Sequence, residues 1–130
     1  CRGYYGYLGG TDYWSRSGFC SDKRLKQGIE TVPNALQSLL NFDVVEFDWN
    51  QNLNPTQFVY YSSKNKLHSI GLIAQNVREY FPEVVKLMGD GYFRVEYEKL
   101  NAVLVEGIKE QQILIEDIEQ QIKELENKLS

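Results

Sequence analysis

LVEGIKEQQILIEDIEQQIKELENKL, residues Leu104 to Leu129, decides the architecture. Its apolar positions Leu104, Ile108, Ile115, Ile118, Ile122, Leu125 and Leu129 recur at alternating spacings of four and three, interrupted only by Gln111. That period is a heptad. With Ile108, Ile115, Ile122 and Leu129 at a, and Leu104, Gln111, Ile118 and Leu125 at d, isoleucine fills both core positions at mid-length, which disfavours two strands and predicts a parallel trimer. Starting near Tyr97, such a helix is a rod of about 50 Å at 1.5 Å per residue, too long for a small domain to cover. Its stripe is expected to meet copies of itself. Leu100, Val103 and Leu104 can instead pack on the chain's own domain, and Val105, Ile113 and Leu114 widen the stripe, so packing at the near end and zipping at the far end are compatible. Gln111 in an apolar seam fixes register if three copies hydrogen-bond around the axis, and is otherwise a poorly packed layer. The acids Glu106, Glu110, Glu116, Asp117, Glu119, Glu124 and Glu126 read as a solvated face.

Upstream of the helix the pattern is mixed. Ser21 reads as the N-cap of a helical turn over 22–29, weakened by Gly28, and Pro33 starts a second helix through Phe42 with Leu36, Leu39 and Leu40 toward the core. Val44, Phe47 and Trp49 within 43–50 mark a strand, followed by a polar loop over 50–56 and a second strand at Phe58 to Tyr61. Residues 68–74 predict a third, buried strand, and Gln75 to Tyr80 a short helix stopped by Pro82. Val84 to Leu87 and Tyr92 to Val95 flank a Gly89-Asp90-Gly91 turn. The expected class is α+β: a small domain of short strands and helices carrying one long trimeric coiled-coil helix.

The first 20 residues differ in composition, interleaving Gly3, Gly6, Gly9, Gly10 and Gly18 with Tyr4, Tyr5, Tyr7, Tyr13, Trp14 and Phe19. Aromatics of this kind line sugar grooves in many proteins, but glycine spacing fits packing in a narrow β-structured stalk, which is the reading preferred here. Three regions follow: a stalk end at 1–20, a domain at 21–97 and the coiled-coil helix at 98–130.

Composition narrows the function classes. The 130 residues are 42% hydrophobic, with 14 basic against 18 acidic side chains and net charge -4; no run of five or six cations suits a phosphate backbone, so nucleic acid is not an expected partner. No apolar run of about 18 residues could span a bilayer, and no basic-then-apolar leader or initiator methionine opens the chain, so a soluble fragment of a longer protein is expected. Cys1 and Cys20 match no metal motif; free thiols are the default, a disulfide between them the alternative, and neither metal nor cofactor is expected.

At the composition boundary stands Ser21-Asp22-Lys23-Arg24-Leu25-Lys26. A serine hydroxyl needs a base to become a nucleophile, and a lysine supplies one if burial lowers its pKa from about 10.4 toward neutrality. Serine and lysine at this spacing are common, and an N-cap serine before a solvated lysine is the ordinary case. The motif does not stand alone. With residues 68–75 (His-Ser-Ile-Gly-Leu-Ile-Ala-Gln), Phe81-Pro82-Glu83-Val84-Val85, Tyr92 to Tyr97, Leu100 and Ile108-Lys109-Glu110-Gln111, it resembles, from Ser21 to about Gln112, the C-terminal intramolecular chaperone and autoprocessing domain of phage tail spikes, tail fibres, neck appendages and endosialidases, shared with the eukaryotic myelin regulatory factor.

The resemblance implies a chaperone that helps three fibre stalks assemble and then frees itself by cutting just before the motif serine, here at Cys20-Ser21. It implies Ser21 as nucleophile and Lys26 as base, with Asp22, Arg24, His68 and Gln75 in support of the cleavage site or the fold. A strand-start histidine is by itself more often structural. Position 22 is Asp or Asn among members, and the residue before the cut is not fixed. The implied partners are two further copies of the chain and the stalk of the same polypeptide; the implied setting is a phage tail or appendage precursor assembled in the host cytoplasm, with the chaperone part released. Attack within one chain and attack on a neighbour's bond both remain open. The competing reading, from another class, is a permanent trimerisation or receptor-contacting fibre tip that does not cut.

Overall fold

The computed structural model describes residues 21–50 and 68–130. The expected stalk, Cys1, Cys20, most of the 50–56 loop and the Phe58 to Tyr61 strand lie outside the described residues. The chain divides after Thr31 into two compact units.

Among the described residues of the first unit, 21–31, regular structure is a single 3-10 turn, Lys23–Leu25. The longer helical stretch expected over 22–29 does not form, and the N-cap is Asp22 rather than Ser21: the Asp22 side chain accepts from the Arg24 N–H. The turn ends at Lys26, whose backbone is extended. Gly28, at φ +62°, lies in left-handed space that a helix cannot use.

The second unit, Val32–Ser130, is a small α+β domain with a long terminal helix. Helix α1 (Ala35–Leu39) follows a turn at Pro33 and Asn34, the latter left-handed at φ 52°. It is shorter than the Pro33 to Phe42 helix expected; of the leucines expected toward the core, Leu39 packs against it and Leu36 is half-buried, but Leu40 is 77% exposed and Ala35 is the fully buried residue. Strand β1 (Val44–Asp48) pairs antiparallel with β2 (His68–Leu72), Val44 opposite Leu72 and Asp48 opposite His68. The expected strand through Ala74 ends at Leu72 and is only half covered, because its paired ribbon turns Val45, Phe47, Ser69 and Gly71 inward and leaves Ile70 67% exposed. Helix α2 (Ala74–Tyr80) buries Val77 and gives way to a 3-10 turn at Pro82–Val84, since proline cannot continue the hydrogen-bond ladder. Strands β3 (Val85–Leu87) and β4 (Phe93–Val95) form a hairpin around the predicted glycine turn.

Helix α3 (Tyr97–Leu129) is the predicted rod of 33 residues. Its first turns roof the core, where Leu100 and Val103 join Ala35, Val77, Phe81 and Val84; Leu104, the third residue of the alternative packing, is exposed. Phe42 packs edge-on against Phe81 at 6.1 Å. Gly107 lets the tip of Leu39 lie where a Cβ would otherwise sit, so a side chain there must displace that tip. One turn on, Glu110 accepts the Leu36 N–H at 2.5 Å and caps α1. Glu110 therefore leaves the solvated acidic face assigned to it, and Glu106 pairs with Lys109 at 3.7 Å. At the start of α3, the Tyr97 hydroxyl accepts the Leu72 N–H at 3.1 Å and lies 3.0 Å from where a Cβ on Gly71 would sit.

Candidate functional site

Two consecutive backbone turns shape the motif. The Leu25 N–H donates to the Asp22 carbonyl at 3.0 Å and the Lys26 N–H to the Lys23 carbonyl at 3.1 Å. Because the turn stops there, the Lys26 stem runs back along it and places Nζ 2.6 Å from Ser21 Oγ, a short hydrogen bond. Both residues are exposed in the single chain. Chemically the pair is a hydroxyl within proton-transfer reach of an amine.

The intervening residues are also paired. Arg24 grips Asp22 with a fork, Nε to Oδ1 at 3.1 Å and Nη2 to Oδ2 at 2.9 Å, while the Arg24 backbone N–H reaches Oδ1 at 2.9 Å. The guanidinium first, and that N–H second, hold the Asp22 carboxyl below its usual range; the same pairing raises Arg24. Cys20, the other side of the expected cut, is outside the described residues.

The remaining candidates belong to the second unit. His68 Nδ1 lies 2.9 Å from Asp48 Oδ1, across the ribbon from its strand partner, and both are exposed. Gln75 is exposed on α2. Its neighbour Asn76, which the sequence did not single out, clamps the turn after α1: it accepts the Asp43 N–H at 2.9 Å and donates to the Asn41 carbonyl at 3.1 Å. An Asn at the first turn of a short helix was the available signal. Along α3 the seam residues Leu104, Ile108, Gln111, Ile115, Ile118, Ile122, Leu125 and Leu129 are all exposed. The helix thus has two stripes: Leu100, Val103, Gly107 and Glu110 against its own domain, and the heptad seam facing outward. Among the described residues no group of three His, Cys, Asp or Glu side chains is placed to hold a metal ion.

A family model described as chaperone of endosialidase matches residues 21–86, starting on the motif serine and ending in β3. The match covers just over half of the chain and spans the motif turn, the ribbon and α2. The family is peptidase-related, with a chaperone role in assembly attached to its name. On that match the chain belongs to the chaperone-of-endosialidase family.

Proposed function

We propose that this chain is a self-releasing trimerisation chaperone, carried at the C-terminal end of a phage tail fibre, spike or appendage precursor. Three copies zip through the α3 seam, bring their upstream stalks into register, and then cut at Cys20-Ser21. The observation that carries this reading is the 2.6 Å contact between Ser21 Oγ and Lys26 Nζ in a member of this family.

The reaction follows from that contact. Neutral Lys26 takes the Ser21 hydroxyl proton as Oγ attacks the carbonyl carbon of residue 20; the peptide C–N bond breaks, and the ammonium returns the proton to the departing Ser21 nitrogen. An ester now joins residue 20 to Ser21 Oγ, beside a free Ser21 amine. Water hydrolyses the ester, leaving a carboxylate at residue 20 and restoring the hydroxyl. No cofactor enters. In the single chain both Ser21 and Lys26 are open to water. Assembly that dries the pair favours the amine and fixes the scissile bond, so cutting follows trimer formation.

The test is a denaturing gel and mass spectrum of the assembled protein. Release of the 1–20 side, abolished by Ser21→Ala and by Lys26→Ala with the trimer intact, is the expected result. Cleavage should also vanish in Ile115→Asp/Ile122→Asp, which charges two seam layers and should sediment as a monomer. An uncut trimer of the unmodified chain overturns the self-cleaving reading and leaves a permanent trimerisation tip.

A further inference from the structure

We infer that Asp22 and Arg24 are positioning residues for the cleavage: their fork sets the turn that brings Lys26 to Ser21, and keeps Asp22 from becoming the counter-ion of Lys26. The inference rests on the reading of Ser21 and Lys26 as nucleophile and base.

The geometry requires a device of this kind. Residues five apart in a continuous α-helix point about 140° away from one another, and in a continuous 3-10 helix about 120° away. Neither helix would join Ser21 to Lys26. The contact exists because the turn begins abruptly at an extended Asp22 (φ -61°, ψ 132°) and ends abruptly at an extended Lys26 (φ -118°, ψ 148°). Asp22 enforces the beginning: its Oδ1 takes the Arg24 N–H and its carbonyl the Leu25 N–H. Arg24 enforces Asp22, since a guanidinium spanning both carboxylate oxygens fixes the side-chain rotamer that the backbone bond needs. Packing does not substitute for these bonds. No residue of the turn is buried, and Leu25 and Ile29 are 62% and 60% exposed.

The second role is electrostatic. The ionisable side chains of 21–31 are Asp22, Lys23, Arg24, Lys26 and Glu30. A carboxylate set free two positions from the arginine would lie four positions before Lys26, as Glu30 lies four after it, and an opposite charge stabilises an ammonium. With both its oxygens gripped by Arg24, Asp22 is neutralised within its own turn. Arginine suits this task better than lysine because its planar fork engages both oxygens at once.

The experiment follows cell-free synthesis of the full chain, with trimer formation read by sedimentation and release of the N-terminal piece read in time across pH. Asp22→Ala should slow release about 10- to 100-fold while the trimer forms normally. Asp22→Asn keeps the oxygen that takes the Arg24 N–H but loses the two-oxygen fork, and should slow release less than Asp22→Ala does. Arg24→Ala should both slow release and move its pH profile upward by about one unit, because Asp22 is freed to hold Lys26 charged. Adding Asp22→Asn to Arg24→Ala should bring the profile back; a turn that only braces the fold would not respond this way. Arg24→Lys should fall between wild type and Arg24→Ala. Wild-type rates and profiles in Asp22→Ala and Arg24→Ala, with Ser21→Ala inactive, overturn this inference alone. Release by Ser21→Ala overturns the dyad beneath it.

Discussion

In the turn at Ser21 to Lys26 no side chain is buried, and hydrogen bonds among Ser21, Asp22, Arg24 and Lys26 give the segment its shape. In Val32–Ser130 the buried side chains, Ala35, Val77, Phe81, Val84, Leu100 and Val103, are all apolar, and no polar or charged residue is buried among the described residues. The difference is one of responsiveness. An apolar core loses stability only when its volume or shape changes, whereas an exposed polar turn answers to a proton, a neighbouring charge or the removal of water. A domain that must hold together throughout assembly, yet act only after it, gains from keeping these two kinds of bonding apart.

The largest effect is expected from the core. Phe81 is 8% exposed, meets Phe42 edge-on, and sits where α2 hands over to Pro82. Phe81→Ala should lower stability by about 3–5 kcal/mol in denaturant unfolding, through lost burial and the cavity left behind. A loss below about 1 kcal/mol would mean that the site collapses freely, and the contrast with the turn would lose its stiff half.

Smaller effects are expected where α3 meets α1. Gly107→Ala gains about 1 kcal/mol of helix propensity but must displace the Leu39 tip, so it should be close to neutral. Gly107→Leu cannot be absorbed that way and should cost about 1–3 kcal/mol by overpacking. Glu110→Ala removes the cap from the Leu36 N–H and should cost about 1 kcal/mol, with faster hydrogen exchange at that amide. Equal stability for Gly107→Ala and Gly107→Leu would show that the two helices are not in close contact in solution.

Features with a strong period or a hard local constraint were legible in the sequence. The heptads from Leu104 to Leu129 marked the long distal part of α3, Pro82 stopped α2, and the glycine turn at 89–91 placed the β3–β4 hairpin. What was not legible depended on contacts distant in the chain. Leucine spacing suggested an inner face for α1, and Leu39 does pack on the core, but Ala35 is the fully buried residue and Leu40 lies outside. Glu110 read as one more solvated acid because its partner, the Leu36 N–H, is 74 residues away. In the motif the residue types announced a serine and a lysine within reach, but Ser21 looked like the cap because Asp22 is an equally good one. Choosing Asp22 frees Ser21 for Lys26 and makes the helix too short to splay them.

The smallest expected effect sharpens the polar half of the contrast. Arg24 lowers the Asp22 carboxyl in the folded turn, so the folded value lies below the ordinary unfolded value of about 3.9. A depressed carboxyl contributes stability that is fully present above the unfolded value and is lost as pH falls through the folded one. The fork should therefore be intact at neutral pH and open only in acid, below about pH 4. Both side chains are exposed, so screening leaves little global stability in the pair, and thermal unfolding is the wrong measurement. A carboxyl-carbon NMR titration reads it directly: the Asp22 midpoint should lie below that of an unpaired aspartate and rise toward the ordinary value in Arg24→Ala. An Asp22 midpoint unmoved by that substitution would mean that the two side chains do not stay paired in water, and the turn would need another constraint to keep Lys26 against Ser21.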